Sequence, residues 1–298
     1  MKDYSFDSGT EYGFSVIVPV FEQWDLIPGL LSDLEAQNLV NSRFEIILVD
    51  NGSERFEPPS VLPSNVSVLK CEAPGSYSAR NYGVAHSEGE WLIFTDADCR
   101  PAPDWLSEFQ LLISKCLDQN LLLAGAIEMV PQSKHPNSYE VYDMVRGIRQ
   151  ERYVKRGYGA TANLAVPRAA FNMLGGFDSS RFSGGDADFC RRSGAKGYVI
   201  QFVPQAVVYH PARSNWQEIS TKARRVKGGQ IRNGSRSRRV LWTLLTLAPP
   251  IRNIWQLMRT PRRSVRHRLT AAWVQLKIWS VEVRELARLL LGAPAERR

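Results

Sequence analysis

The sequence predicts an α/β fold: a mostly parallel sheet with helices on both faces, followed by a basic helical C-terminal extension. Three observations predict it. Short apolar runs alternate with amphipathic stretches in the order β-α-β-β-α-β over the first hundred residues, as parallel sheets require. Two of those runs end in an acid, Asp50 and Asp96, on the strand edge where such sheets bind ligands. Charge divides along the chain: from Arg213 onward there are 20 Lys and Arg against 4 Asp and Glu, and before it 18 against 26.

The first strand is FSVIVPV at 14–20, followed by the helical WDLIPGLLSDLEAQ. FEIILVD at 44–50 and VSVLK at 66–70 are the next strands, and YSARNYGVAHSEG after the turn APGS is the second helix. Trp91, Leu92, Ile93 and Phe94 make a continuous apolar run suited to a strand buried on both faces, which Pro101 and Pro103 stop. Beyond Pro103 the pattern becomes α+β, with a helix near 104–118, a strand LLLAGAIEMV, and a polar helical stretch over 138–156. GYGATANLAVPRAAFNMLGGFD then reads as a loop, a short strand and a short helix stopped by Gly175 and Gly176. A helix after the D-x-D of GGDADF and a last strand closed by His210 complete a domain spanning 13–215, leaving 216–298 as the extension.

At 298 residues and 44% hydrophobic content the chain can bury a substantial core. Cys71, Cys99, Cys116 and Cys190 lie far apart without a C-x-x-C pair, which argues against a zinc site or a disulfide framework. The polar N-terminus has no apolar signal region, and VLWTLLTLAPPI at 240–251 is too short to cross a bilayer, so a cytoplasmic location is expected.

The stretch TDAD carries the chemistry. In extended chain, residues two apart point to the same side, so the carboxylates of Asp96 and Asp98 converge on one object. Like charges that close repel unless a cation or a donor lies between them. The other reading is a turn whose Asp98 merely caps the helix starting near Asp104.

Five motifs in order decide between the two: VIVPVFE, LVDNGS, PGSYSARNYGVAHSEGEWLIFTDAD, GGDADFCRR and VVYHPARS. Together they resemble family 2 glycosyltransferases of the GT-A (nucleotide-diphospho-sugar transferase) fold. The resemblance implies inverting transfer of a sugar from a nucleotide-sugar, a UDP-sugar ahead of GDP- or dTDP-sugars, assisted by Mn²⁺ or Mg²⁺. It implies Asp98 as a metal ligand with His210 as a further contact, and Asp96 facing the ribose. Pro19, Phe21 and Glu22 match the loop around base and ribose, Asp50 the base-contacting acid, and Arg80 an arginine near the nucleotide. Asp186 matches the general base, although Gly185 stands where the family pattern has another acid; Asp188 is the fallback. Asn163 matches a position that holds donor sugar or acceptor. Each residue also has a plainer use: core packing for Phe21, a salt bridge for Arg80, a structural role for His210, helix capping for Asp186 or Asp188.

Two other enzyme classes fit less well. A haloacid-dehalogenase-type phosphotransferase would place its D-x-D near the N-terminus with a hydroxyl residue and glycine behind it, and a glycoside hydrolase would have no use for VDNGS and SARN. The non-enzymatic alternative is a nucleic-acid- or membrane-binding protein on a degraded nucleotide-binding core. In the extension, Leu269, Trp273, Leu276, Val283, Leu286 and Leu290 recur at helical steps, flanked by Arg268, Lys277, Arg284 and Arg288. That seam is expected on an anionic membrane at the inner face of the cell, beside a saccharide or lipid-linked acceptor, with the protein's own core or a second copy as the competing cover. Nucleic acid is disfavoured because the tryptophans sit among leucines rather than between basic residues.

Overall fold

The computed structural model describes residues 13–39, 43–115, 120–181, 183–232, 235–261 and 263–296; Cys116 lies outside them. The chain forms two compact units. One comprises Met1–Glu128, Arg149–Ser179 and Gly185–His210; the other comprises Met129–Ile148, Ser180–Gly184 and Pro211–Arg298.

In the first unit, β1 (Phe14–Val20), α1 (Ile27–Glu35), β2 (Phe44–Asp50), β3 (Val66–Lys70), α2 (Ser76–Ala85) and β4 (Trp91–Phe94) occur where the apolar runs require them. The four strands are parallel in the order β3-β2-β1-β4. β2 is buried at every position and β1 at all but Pro19, as expected of parallel strands covered on both sides. β4 pairs with β1 only from Trp91 opposite Phe14 to Phe94 opposite Ile17, so the chain leaves the sheet just before the two aspartates.

From β4 outward the pairing changes. A two-residue strand β5 (Arg100–Pro101) precedes α3 (Trp105–Lys115) and β6 (Leu121–Val130). After α4 (Ser138–Arg146) come α5 (Gln150–Val154), β7 (Leu164–Pro167), α6 (Arg168–Met173), α7 (Gly185–Ala195) and β8 (Val199–Pro211). β7 is antiparallel to both β4 and β6, and β5 is antiparallel to β8; the full order is β3-β2-β1-β4-β7-β6-β8-β5. The α/β expectation and the later shift to α+β both hold. Gly147 at φ 60° breaks the helical stretch read over 138–156 into α4 and α5.

The core of this unit is aromatic around α7. Phe177 packs edge-on against Phe94 at 5.1 Å between ring centroids, an arrangement favoured by the ring quadrupoles, and at a tilt against Phe189 at 5.0 Å. Phe189, one helical turn after Asp186, thereby ties α7 to the strand that ends before Asp96.

The second unit is helical: α4, α8 (Trp216–Arg232), α9 (Arg236–Leu247), α10 (Ile251–Met258) and α11 (Val265–Leu290). It includes α4, which precedes the extension by some seventy residues, so the basic tail has an apolar partner within the chain. Val274 and Ile278 of α11 pack with Tyr142 and Val145 of α4 and Ile219 of α8. Asn137 begins α4 with a full capping box to Glu140, and Ser235 and Ser264 cap α9 and α11. The seam expected along 269–290 is divided: Leu286 is buried, whereas Leu269, Trp273, Leu276 and Leu290 are exposed. Among the described residues no helix is long and apolar enough to cross a membrane.

Candidate active site

The site gathers where three connections leave the carboxyl ends of the parallel strands. Asn51, just after β2, sets the first. Its buried side chain donates to the carbonyls of Cys71 and Ala73 at 3.1 and 2.8 Å and accepts from Gly75 N at 2.7 Å. Those bonds fix the entry into α2, and so the directions of Tyr77 and Arg80, one turn apart on that helix.

Arg80 is buried and its Nη2 pairs with Asp96 at 2.5 Å. Its Nε is buried and makes no hydrogen bond among the described residues. The arginine thus neutralises one of the two aspartates. The second faces another partner: Asp98 Oδ1 lies 3.8 Å from Nε2 of His210, which is itself buried. This proximity comes from β5, which sequence reasoning missed because it took the prolines only as stops. Arg100 pairs with Tyr209 and Pro101 with Val208, drawing the end of β8 alongside the residues that follow Asp98.

Ligand atoms of Asp96, Asp98, Cys99 and His210 all lie within 4.8 Å of one another. At 3.8 Å the carboxylate and imidazole of Asp98 and His210 are too far apart for a hydrogen bond. They are spaced as two donors on either side of a cation held at roughly 2.0–2.2 Å from each. Carboxylate oxygens with one imidazole suit Mn²⁺, and Mg²⁺ if the imidazole stays outside its shell. Cys99 is the odd member of the group: its sulfur is soft, and burial first, then the neighbouring Asp96 and Asp98, push its thiol well above the ordinary value. The donors present therefore fit a hard divalent cation.

Asp186 enters from the first turn of α7. Its carboxyl is half-buried, accepts from Ala187 N at 2.8 Å, and lies 3.5 Å from the Tyr77 hydroxyl. That hydroxyl in turn accepts from Gly185 N at 2.9 Å and Asp186 N at 3.3 Å. Burial raises the Asp186 carboxyl above the usual range and the charge of Asp96 adds to this, against the lowering effects of the Ala187 amide and Arg80. Tyr77 was not singled out by its sequence pattern; the available signal was its place one turn before Arg80 on the same helix face.

The remaining expected residues fall in two groups. Phe21 and Glu22 lie exposed on the loop after β1, with Pro19 half-buried before them. Glu22 holds a left-handed backbone, φ 53°, secured by its N–H donating to Ser53 Oγ at 2.9 Å and its carboxylate accepting from Glu54 N at 2.5 Å. A non-glycine residue in that region marks a backbone held by its surroundings, as occurs at ligand sites. Asp50 is buried and directed into its own loop, accepting from the Trp24 indole at 2.9 Å and from Gly52 N and Ser53 N at 3.1 and 3.2 Å.

Asn163 and Asp188 are tied into the scaffold. Asn163 is fully buried, accepts from Trp105 Nε1 at 2.8 Å and donates to the Ala126 and Ala206 carbonyls, both at 2.8 Å. The structure therefore does not present its side chain to a ligand. Asp188 pairs at 3.0 Å with Arg192, whose remaining donors cap the carbonyls of Leu174 and Gly176.

Comparison with known proteins identifies the family. Residues 15–173 match the family described as Glycosyl transferase family 2. Glycosyltransferase AglE of Haloferax volcanii is 33% identical over 228 residues, covering 73% of this chain and 72% of that protein. Among solved structures, mannosyltransferase PcManGT from Pyrobaculum calidifontis, in complex with GDP-Man and Mn²⁺, aligns over 97% of this chain and 90% of its own with a TM-score of 0.57 at 17% identity. S. aureus TarS 1-349 in complex with UDP aligns over 94% and 91% with a TM-score of 0.52 at 15% identity. Those two structural likenesses concern the fold; the sequence matches go further, and they establish that the chain belongs to glycosyl transferase family 2 and is a glycosyltransferase.

Proposed function

We propose that the protein transfers a sugar from a nucleotide-sugar, a UDP-sugar first, to a saccharide or lipid-linked acceptor with inversion at the anomeric carbon, assisted by Mn²⁺ or Mg²⁺. The observation that carries this reading is the convergence of Asp96, Asp98 and His210 within 4.8 Å, with Asp186 linked to the same region through Tyr77 and Arg80. Asp98 and His210 would hold the cation, which when bound offsets the charge that develops on the leaving diphosphate. Arg80 adds a fixed positive charge beside Asp96.

Inversion in one displacement needs one base at the acceptor hydroxyl, and Asp186 takes that proton. A carboxyl lifted by burial is better matched to proton abstraction near neutral pH than an ordinary one. Pro19, Phe21 and Glu22 present a rim with an exposed ring for the base and ribose, while Asp50 acts at one remove by fixing that rim. The structural neighbours in complex with GDP-Man and Mn²⁺ and with UDP support a nucleoside-diphosphate donor. A protein that meets a lipid-linked acceptor also needs to work at an anionic membrane surface, and the basic second unit is read as its peripheral attachment at the inner face of the membrane.

The test is a panel of nucleotide-sugars with Mn²⁺, Mg²⁺ or EDTA, read by thermal shift and by release of free nucleoside diphosphate. A donor at 100 times its dissociation constant stabilises by about 2.7 kcal/mol. No shift and no turnover with any donor in the presence of either metal would overturn the reading.

A further inference from the structure

α9 and α10 are joined by Ala248-Pro249-Pro250 and form an elbow in the second unit. Each is anchored on one side. In α9, Thr246 is buried, with Lys227 Nζ donating to its hydroxyl at 2.8 Å and Trp279 Nε1 to its carbonyl at 2.8 Å, and Trp242 packs against Ile231, Leu286 and Leu289. In α10, Leu257 is buried in the core formed with α4 and α11. The opposite sides are apolar and bare: Leu241, Leu244, Leu245, Leu247, Ile251 and Trp255 are each more than half exposed. Their spacing of three and four residues puts them on one face of each helix, away from the anchors. A contiguous apolar face of this kind on a helix already fastened to its core marks a surface that meets something else.

Charge identifies what covers it. Between Glu218 and Glu282 there is no acidic residue, against 15 Lys and Arg. Arg236, Arg238 and Arg239 lie exposed at the start of α9, Arg252 is exposed on α10 and Arg259 at its C-terminal cap, and Arg259 stacks over Trp255 at 4.0 Å. A second copy would bring like charges together with no acid to offset them. Nucleic acid would meet the arginines but leave the leucines in water. An anionic bilayer satisfies both, since apolar insertion and basic attraction are the two contributions that stable interfacial binding combines. At 12 and 8 residues, α9 and α10 are too short to span and lie in the interface.

We propose that the α9–α10 elbow is the element that enters the membrane interface, its leucines and Trp255 in the acyl boundary and its arginines at anionic headgroups. This rests on the peripheral-membrane reading above and moves the contact from the α11 seam to the elbow. The experiment uses the full chain and vesicles of phosphatidylcholine with or without 30% phosphatidylglycerol, at low and high salt, read by co-sedimentation and by tryptophan quenching with brominated acyl chains. Wild type is expected to bind the anionic vesicles at low salt. Leu244→Glu with Ile251→Glu should lower partitioning by about 10-fold or more, while Leu269→Glu with Trp273→Glu changes it by less than about 3-fold. Because these positions are exposed, thermal melting should be unchanged, and in otherwise native protein Trp255→Phe should reduce quenching where Trp273→Phe does not. If wild type binds but the elbow variants bind equally, or quenching follows Trp273 alone, the elbow is overturned and the peripheral reading stands. If wild type ignores anionic vesicles, both fall. A dimer in solution that the elbow substitutions dissociate would assign the face to a second copy instead.

Discussion

The Tyr77 ring fills the space that any side chain at residue 185 would need: a Cβ added to Gly185 would lie 2.6 Å from a ring carbon. The glycine that departs from the family's acidic pattern is therefore one half of a pair. The Tyr77 hydroxyl takes the Gly185 and Asp186 amides that start α7 and touches the Asp186 carboxyl, so the tyrosine fixes the orientation of the proposed base.

Gly185→Ala should accordingly destabilise by about 1–3 kcal/mol through overpacking. Tyr77→Phe keeps the ring but leaves buried amides unsatisfied, a cost of about 1–3 kcal/mol, and should lower kcat more than it raises KM. Denaturant unfolding with steady-state kinetics checks both; a stable, fully active Gly185→Glu would show that the ring yields easily and that the pairing has no consequence.

Asp186→Asn is expected to lose about 10²–10⁴-fold in turnover while still binding donor and metal. Its effect on stability has the opposite sign. The folded carboxyl is raised, so at intermediate pH the folded state holds more protons than the unfolded one, and stability falls as pH rises through the window between the unfolded and folded values. Above that window Asp186→Asn should be more stable than wild type, and the advantage should vanish below the ordinary carboxylate range. Urea unfolding across pH 3–8 measures this. An active Asp186→Asn beside an inactive Asp188→Asn would move the base one acid along.

For Asp98→Asn the expected result is loss of Mn²⁺-dependent nucleotide binding with an unchanged melting temperature in EDTA. Titration calorimetry with UDP and GDP, with and without Mn²⁺, checks it. Wild-type turnover of the variant in EDTA would remove the cation from the reaction.

In the second unit, a cavity of about 40 Å³ is lined by Asp143, Arg146, Arg213, Lys222 and Glu282. Arg213 pairs with Asp143 at 2.9 Å, while the Lys222 amine is pushed down to about 7 by burial and then by Arg213. A lysine lowered in the folded state is bound by more protons when unfolded, so stability should rise with pH from about 7 toward its ordinary value. Lys222→Met should stabilise at pH 6–7 by about 1–4 kcal/mol, with the gain shrinking toward pH 10. Chemical denaturation at three pH values decides; a pH-independent effect would mean that the amine titrates normally.

The parallel half was legible because a strand buried on both faces is a continuous apolar run, and 14–20, 44–50, 66–70 and 91–94 have no other good use. Asp96, Asp98 and Asp186 could be singled out as candidates because their spacing resembles a known order of motifs. What sequence did not reveal depends on contacts far apart in the chain. β5 is two residues long and exists only through β8. Asn163 lies in a polar-looking loop, yet Trp105, Ala126 and Ala206 enclose it. The α11 seam has the right period, but period alone does not say which side α4 and α8 will cover.

The left-handed backbone at Glu22 has a bearing on how this protein would respond to selection in the laboratory. Such a conformation costs a non-glycine residue roughly 1–2 kcal/mol. A screen that rewards only heat resistance would favour glycine there, because relief of that cost outweighs the added freedom of the unfolded chain, whereas a screen for turnover would keep the glutamate that ties residue 22 to Ser53 and Glu54. Parallel libraries at this one codon, sorted once by melting and once by product, would separate the two pressures, and the same winner from both would show that the strained loop has no part in catalysis.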